Sequence, residues 1–276
     1  MMKPPLDREQ IFALADEHTR AVQAWLASRT PQGKRLELSG VVASSTGLHV
    51  QFLNLALSRP YPYHASAETI EEEIETVKSF YGQQGVPWYW VVGPRQEPAD
   101  IGKQLERHGL AYEPPDLPAM VACLPAVRVP IDPAINVRRA SNTDDLKAAS
   151  YIRRTSFEFA EGAADHYFED MPDDWLDNKN VRLYLASIGE NPPAAIGALI
   201  LGAGAPGVYV MATLPEWERR GLGRAILSHL LSDAWEMRHQ HTILTASSKG
   251  FPLYRKFGFE HVFDYKFFAS NAPGHA

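Results

Sequence analysis

The sequence predicts an α/β (α+β) fold, a mixed sheet flanked by helices and built in two halves. Three observations carry that expectation. The stretch 208–231 reads as a strand, a short loop and the start of a long helix. Val208, Tyr209 and Val210 are strand formers, and Pro215, with no N–H to donate, ends the ladder. Beyond it Ile226, Leu227, Leu230, Leu231, Ala234 and Trp235 recur at helical spacing. The alternation then continues with a strand over 241–246, a helix over 250–256 and a strand over 259–268. A similar order stands earlier in the chain: strand 87–92, Gly93-Pro94, helix 98–108 and strand 120–124. The three prolines between Pro125 and Pro133 read as a linker dividing a domain over 1–130 from one over 134–276.

Taken in order, residues 6–29 carry an apolar helical stripe through Ile11, Phe12, Leu14, Ala15, Ala21, Val22, Trp25 and Leu26, and Thr30-Pro31-Gln32-Gly33 ends it. Leu36 to Ser44 and His49 to Leu57 read as strands joined by Ser45-Thr46-Gly47, and residues 59–63 as a rigid connector. Ser66 is placed to cap a helix running through Tyr81, with Glu68 in its first turn and the acids Glu71, Glu72 and Glu73 on a solvated face. After the linker, Ile135 to Arg138 begins a strand, and Asn142 or Thr143 caps a helix through Leu146, Ala149, Ile152 and Phe157. A polar and aromatic stretch, 159–175, precedes strands over 181–188 and 194–201.

Composition bounds the function classes. The chain has 276 residues, ample for a sizeable core, and a formal net charge of −6. Neither half is basic, so nucleic acid has no electrostatic support as a partner. A single cysteine, Cys123, excludes an internal disulfide framework and reads as a small buried apolar residue. The first eight residues contain no apolar signal-peptide segment, and no apolar run approaches the ~18 residues of a membrane span. The expectation is a cytoplasmic protein without a membrane partner. His239 and His241 have no third ligand nearby and read as a solvated helix end, so no metal is expected.

Gly202-Ala203-Gly204-Ala205-Pro206-Gly207 fits a dinucleotide-binding glycine pattern. That pattern requires a helix immediately afterwards, and here Val208 to Met211 is a strand, so the run reads as a hairpin connection. The informative glycines lie further on. Arg219, Arg220 and Arg224 sit at the positive end of the helix dipole, where each cation is unfavourable by about 0.3–1 kcal/mol. Gly221 and Gly223 weaken the same turn by about 1 kcal/mol each. Free backbone N–H groups, an open approach and three guanidinium groups suit a di-anion such as a pyrophosphate.

With the later run Tyr254, Gly258 and Phe259, these residues resemble the GNAT superfamily of CoA-dependent acyltransferases. The glycine loop is similar to the family's acyl-CoA loop, and Tyr254 ahead of the Gly-Phe pair to its closing motif. Glu218 departs from the pattern, in which Gln or Arg opens the loop. The resemblance implies a mostly antiparallel, twisted sheet in tandem, with 1–130 a degenerate structural half. It implies acetyl-CoA as co-substrate and direct transfer to an amine in a ternary complex. Arg219, Arg220, Gly221, Leu222, Gly223 and Arg224 would hold the pyrophosphate. Backbone N–H groups at Met211, Ala212 and Thr213 would stabilise the thioester oxygen, Ser247 would contact the CoA arm, and Tyr254 would protonate the departing thiolate. Many family members carry a general-base Glu on the strand before the loop, but 207–213 has no acid. Glu158, Glu161, Asp165 and His166 are the upstream candidates, and His166 is preferred because imidazole titrates near neutrality. The expected acceptor is the amine of a small molecule or amino acid, and a homodimer is left open. A non-catalytic acyl-CoA-binding regulator, consistent with Glu218, is the competing expectation.

Overall fold

A computed structural model of the protein describes residues 6–62, 65–96 and 98–270. Tyr63, in the expected connector, and the extreme N-terminus lie outside the described residues. The chain forms two compact units, and they interleave along the sequence. One joins the stretch up to Val22 to Ala119–Val262; the other joins Gln23–Pro118 to the stretch from Phe263 on. Helix α1 (Arg8–Ser28) and strands β5 (Leu110–Cys123) and β11 (Glu260–Ser270) each run from one unit into the other.

The unit containing Ala119–Val262 holds the glycine–arginine loop. Strands β6 (Ile135–Arg139), β7 (Val181–Ile188), β8 (Ala195–Gly202) and β9 (Ala205–Thr213) form an antiparallel meander. The glycine-rich stretch 202–207 is the hairpin between the last two, with Gly202 opposite Ala205 and Ile200 opposite Gly207. Helix α6 (Leu222–Glu236) then carries the chain to β10 (His241–Thr245), which pairs parallel to β9 and antiparallel to residues 119–123 of β5. The remaining helices are α4 (Thr143–Ser156), capped by Asn142 through the Asp145 N–H, α5 (Pro172–Leu176) and α7 (Phe251–Lys256). α6 buries Leu222, Ala225, Ile226, Leu227, Leu230, Leu231 and Ala234, the stripe its periodicity requires.

The other unit repeats this order. β1 (Lys34–Glu37), β2 (Val41–Ser45) and β3 (Leu55–Ser58) are antiparallel. Helix α2 (Ala67–Gly82), capped by Ser66, leads to β4 (Tyr89–Val92), which is parallel to β3. Helix α3 (Ile101–Arg107) follows, and residues 266–268 of β11 pair antiparallel to β4. Its core gathers Val41, Ile74, Val77, Trp90 and Leu105 around Tyr81, which stacks on Trp88 at 4.5 Å.

Several expected elements are corrected by contacts distant in sequence. The strand expected over 36–44 breaks at Ser39-Gly40, because the Glu73 carboxylate accepts from both N–H groups, at 2.8 and 3.0 Å. Glu73 is therefore buried, not on a solvated face, whereas Glu71 and Glu72 are exposed. The strand expected over 49–57 begins as a 3₁₀ turn (Gln51–Leu53), since buried Asn54 donates to the carbonyls of Leu48, Val50 and Pro87. β5 starts ten residues before the expected Met120, and runs through Pro114, Pro115 and Pro118. The long helix opens at Leu222 instead of Arg219 and ends at Glu236. Cys123 is exposed at the last position of β5, while its neighbour Ala122 is buried. His241 lies inside β10, opposite Cys123 and buried, and is no solvated helix end; burial lowers its pKa and that of His239. No helix among the described residues is long and apolar enough to cross a membrane.

Candidate active site

β9 does not run straight into the loop. Val210 adopts φ +47°, rare for a branched residue, and the register shifts by one residue between Ile196 and Ala198. This bulge sets Met211 over Gly197, where an added Cβ would meet the Met211 sulfur at 2.4 Å and Ile226 at 2.5 Å. The small residue on β8 is thus what lets the re-aimed strand lie against α6. After the bulge, a 3₁₀ turn (Pro215–Trp217) leads to Arg219 at φ +60° and Gly221 at φ +92°. Gly221 is the N-cap of α6 and offers no side-chain cap. The first N–H groups of the helix have no intrahelical acceptors, and no capping side chain engages them.

A cavity of about 440 Å³ opens at this helix start, a volume suited to a small ligand. Its walls bring together Met211, Ala212 and Thr213 from β9, Arg219, Gly221, Leu222, Gly223 and Arg224 from the loop and α6, and Ser247 and Tyr254 from the segment after β10. Ten of the fifteen candidate residues read from sequence therefore share one wall, and Glu158, Glu161 and Asp165 are not on it. Arg220 is absent from that wall; its guanidinium lies 4.9 Å from the Trp217 ring centroid. His166 is absent too. Its side chain is 73% exposed, and its Nδ1 stands 3.4 Å from Glu169 Oε1.

Sequence reasoning missed Ser156 at the end of α4, and Trp217, Lys249, Gly250 and Leu253. Phe157 reads from sequence as one of several aromatics that hint at an apolar or amino-acid-like acceptor; of the others, Phe159 is half-buried and Tyr167, Phe168 and Trp175 are core. Glu218 does face the cavity, and Lys249 Nζ donates to its Oε1. Lys249, four residues beyond the end of β10, neutralises the carboxylate that breaks the loop pattern. Tyr254 is 8% exposed, packs edge-on against Phe259 at 5.9 Å, and burial pushes its hydroxyl pKa up to about 12. It stays protonated at any working pH.

The arrangement suits an anionic ligand. Uncapped N–H groups and two arginines offer an anion site at one part of the wall, and the bulged strand and a protonated tyrosine line the rest of it. Residues 179–261 match the family model described as "Acetyltransferase (GNAT) domain". No curated protein sequence matches the chain. Among solved structures, a GCN5-related N-acetyltransferase from Kribbella flavida is similar in fold, with TM-score 0.70 at 16% identity, covering 95% of this chain and 96% of that one. A GCN5-related N-acetyltransferase from Sphaerobacter thermophilus gives TM-score 0.62 at 15% identity, covering 85% and 82%. A functionally unknown conserved protein from Staphylococcus epidermidis gives 0.58 at 13% identity, covering 87% and 94%. Residues 179–261 thus match an acetyltransferase (GNAT) domain, and the chain shares the fold of these GCN5-related N-acetyltransferase structures.

Proposed function

We propose that the protein transfers an acetyl group from acetyl-CoA to the amine of a small molecule or amino acid, by direct attack in a ternary complex. The observation that carries this reading is the single cavity wall shared by Thr213, Gly221 and Tyr254. The N–H groups at the start of α6, with Arg219 and Arg224, hold the pyrophosphate. The strand end 211–213 offers N–H groups to the thioester oxygen as negative charge develops there. The amine nitrogen bonds to the acetyl carbon, the carbon–sulfur bond breaks, Tyr254 donates its proton to the leaving sulfur, and the proton the nitrogen sheds on becoming an amide restores the tyrosine through solvent. The acceptor ammonium must lose a proton first. Glu218, the only carboxylate on the wall among the described residues, is engaged by Lys249, so that proton leaves through solvent or to a group beyond the wall. His166 keeps a role only if it moves towards the cavity. Residues 1–130 serve as the structural half.

The test is calorimetric titration of acetyl-CoA into the wild type and into Gly223→Asp, which places a carboxylate at the phosphate site where an added Cβ has room. Micromolar binding abolished by the substitution, with thiol release on an amine panel, is the expected result. Binding without turnover on any amine would favour the regulator reading. Binding that survives Gly223→Asp would move the CoA site elsewhere.

A further inference from the structure

Arg153 is a buried cation without a counter-ion. It is 7% exposed, and no ion pair or hydrogen bond to its Nη1 exists among the described residues. The adjacent Arg154, by contrast, pairs with Asp165 at 3.4 Å. The Arg153 guanidinium lies 4.0 Å from the centroid of Tyr167, 5.6 Å from that of Phe159 and 5.9 Å from that of Phe168. Burial pushes its pKa down, and the Tyr167 hydroxyl, which accepts a hydrogen bond from the guanidinium, acts against that. Aromatic faces attract a cation, but they do not replace the hydration and hydrogen bonds a guanidinium loses on burial. A fold that keeps such a group leaves part of its bonding capacity unspent.

Arg153 is not on the cavity wall, but its helix reaches that wall one turn further on. Ser156 follows Arg153 by one helical turn on the same face of α4, and its Oγ is also buried without a hydrogen-bond partner. Ser156 and Phe157 line the cavity, and Phe157 stacks on Phe159 at 5.6 Å. One aromatic pair therefore connects the cavity wall to the buried guanidinium.

We propose that Arg153, assisted by Ser156, anchors a carboxylate of the acyl acceptor, so that the substrate class is amino-acid-like amines carrying a negative charge. This rests on the acetyl-transfer reading above. A carboxylate fits the donor set: one planar fork, one hydroxyl and one positive charge match two acceptor oxygens and one negative charge. A phosphate, with nearly two charges at neutral pH, would leave the second uncompensated.

The test pairs each carboxylated amine with its uncharged partner: leucine with isoamylamine, phenylalanine with phenethylamine, and 4-aminobutyrate with butylamine. Thiol release is measured for the wild type, Arg153→Met and Ser156→Ala. In parallel, phenylacetate and phenylacetamide are titrated into the acetyl-CoA-loaded protein. The wild type is expected to prefer at least one carboxylated member by about tenfold or more in kcat/KM. It should also bind phenylacetate and not phenylacetamide. Arg153→Met should erase both preferences through KM while leaving acetyl-CoA affinity and the melting temperature unreduced. A merely structural arginine would instead lower the melting temperature and leave the preference intact, which overturns the proposal. Equal use of both members of every pair, or failure of phenylacetate to bind, also overturns it. Should Arg153→Met not fold, Ser156→Ala and the wild-type titrations decide on the same criteria. If phenylacetate binds but no amine releases thiol, the acetyl-transfer reading fails while the carboxylate anchor stands.

Discussion

Lys249 holds Glu218 in an ion pair on the wall of the cavity, where a diphosphate would otherwise face a bare carboxylate. The pair is partly solvated, with the lysine side chain 74% exposed, so it is weak and screened by salt. Replacing Glu218 by Gln removes the repulsion and frees the lysine. Acetyl-CoA should bind about two- to tenfold more tightly, most visibly at low salt. Lys249→Ala should act in the opposite direction. Calorimetry at two salt concentrations reads both effects, and unchanged affinity in either variant would place the phosphates away from this pair.

Tyr254 is expected to matter for turnover and not for binding. Tyr254→Phe should lower kcat by about 10²-fold, the lower end for a general acid, with acetyl-CoA affinity retained. Because burial raises its hydroxyl to about 12, wild-type kcat should show no descending limb near pH 10, where a solvated tyrosine ionises. A limb at that pH that vanishes in the Phe variant would contradict the buried, protonated state.

The two loop glycines should respond oppositely in stability. A side chain at Gly221 is strained by φ +92°, at about 1–2 kcal/mol, and would stand 3.2 Å from Ile135. At Gly223 an added Cβ meets nothing nearer than 3.7 Å, and alanine gains about 1 kcal/mol of helix propensity. Gly221→Ala should therefore melt lower and Gly223→Ala higher than the wild type. Both should bind acetyl-CoA less well, because each adds a methyl group to the wall.

His18 gives the protein an acid-side weakness. Its Nδ1 donates to the Gly202 carbonyl at 2.8 Å, and its Nε2 is buried without a hydrogen-bond partner among the described residues. Burial holds its pKa below 6.5. The unfolded chain thus takes up a proton that the folded chain refuses, so stability falls as pH drops below 6.5. His239 and His241 act in the same direction. Melting temperatures between pH 8 and 5 should decline for the wild type, and less steeply for His18→Gln. Parallel curves would assign the decline to other groups.

How far the sequence could be read follows from where the physics resides. The loop at the start of α6 was legible because its signals are local: glycines and arginines crowd a helix start where both are unfavourable. The hairpin at 202–207 was legible for the same reason, since a strand follows at once. The break at Ser39 was hidden because Glu73 causes it from thirty-four residues away. Prolines disguised the first part of β5, whose length is set by tertiary pairing and not by propensity. Lys249 carries no motif; its importance appears only when Glu218 is beside it. His166 was chosen for its chemistry, and chemistry without position could not show that its ring faces solvent.

The two final strands are exchanged between the halves of the chain. β5, made in the first half, ends alongside β10, and β11, made in the second, ends alongside β4. The half that bears the glycine–arginine loop is consequently not a portable cassette. A fragment beginning at residue 134 would forfeit residues 119–123 and leave the β10 edge bare, an invitation to self-association. A gene encoding this arrangement cannot shed or shuffle its first half without orphaning β10 in the second. The bond between the two halves is thus one of inheritance as well as of architecture.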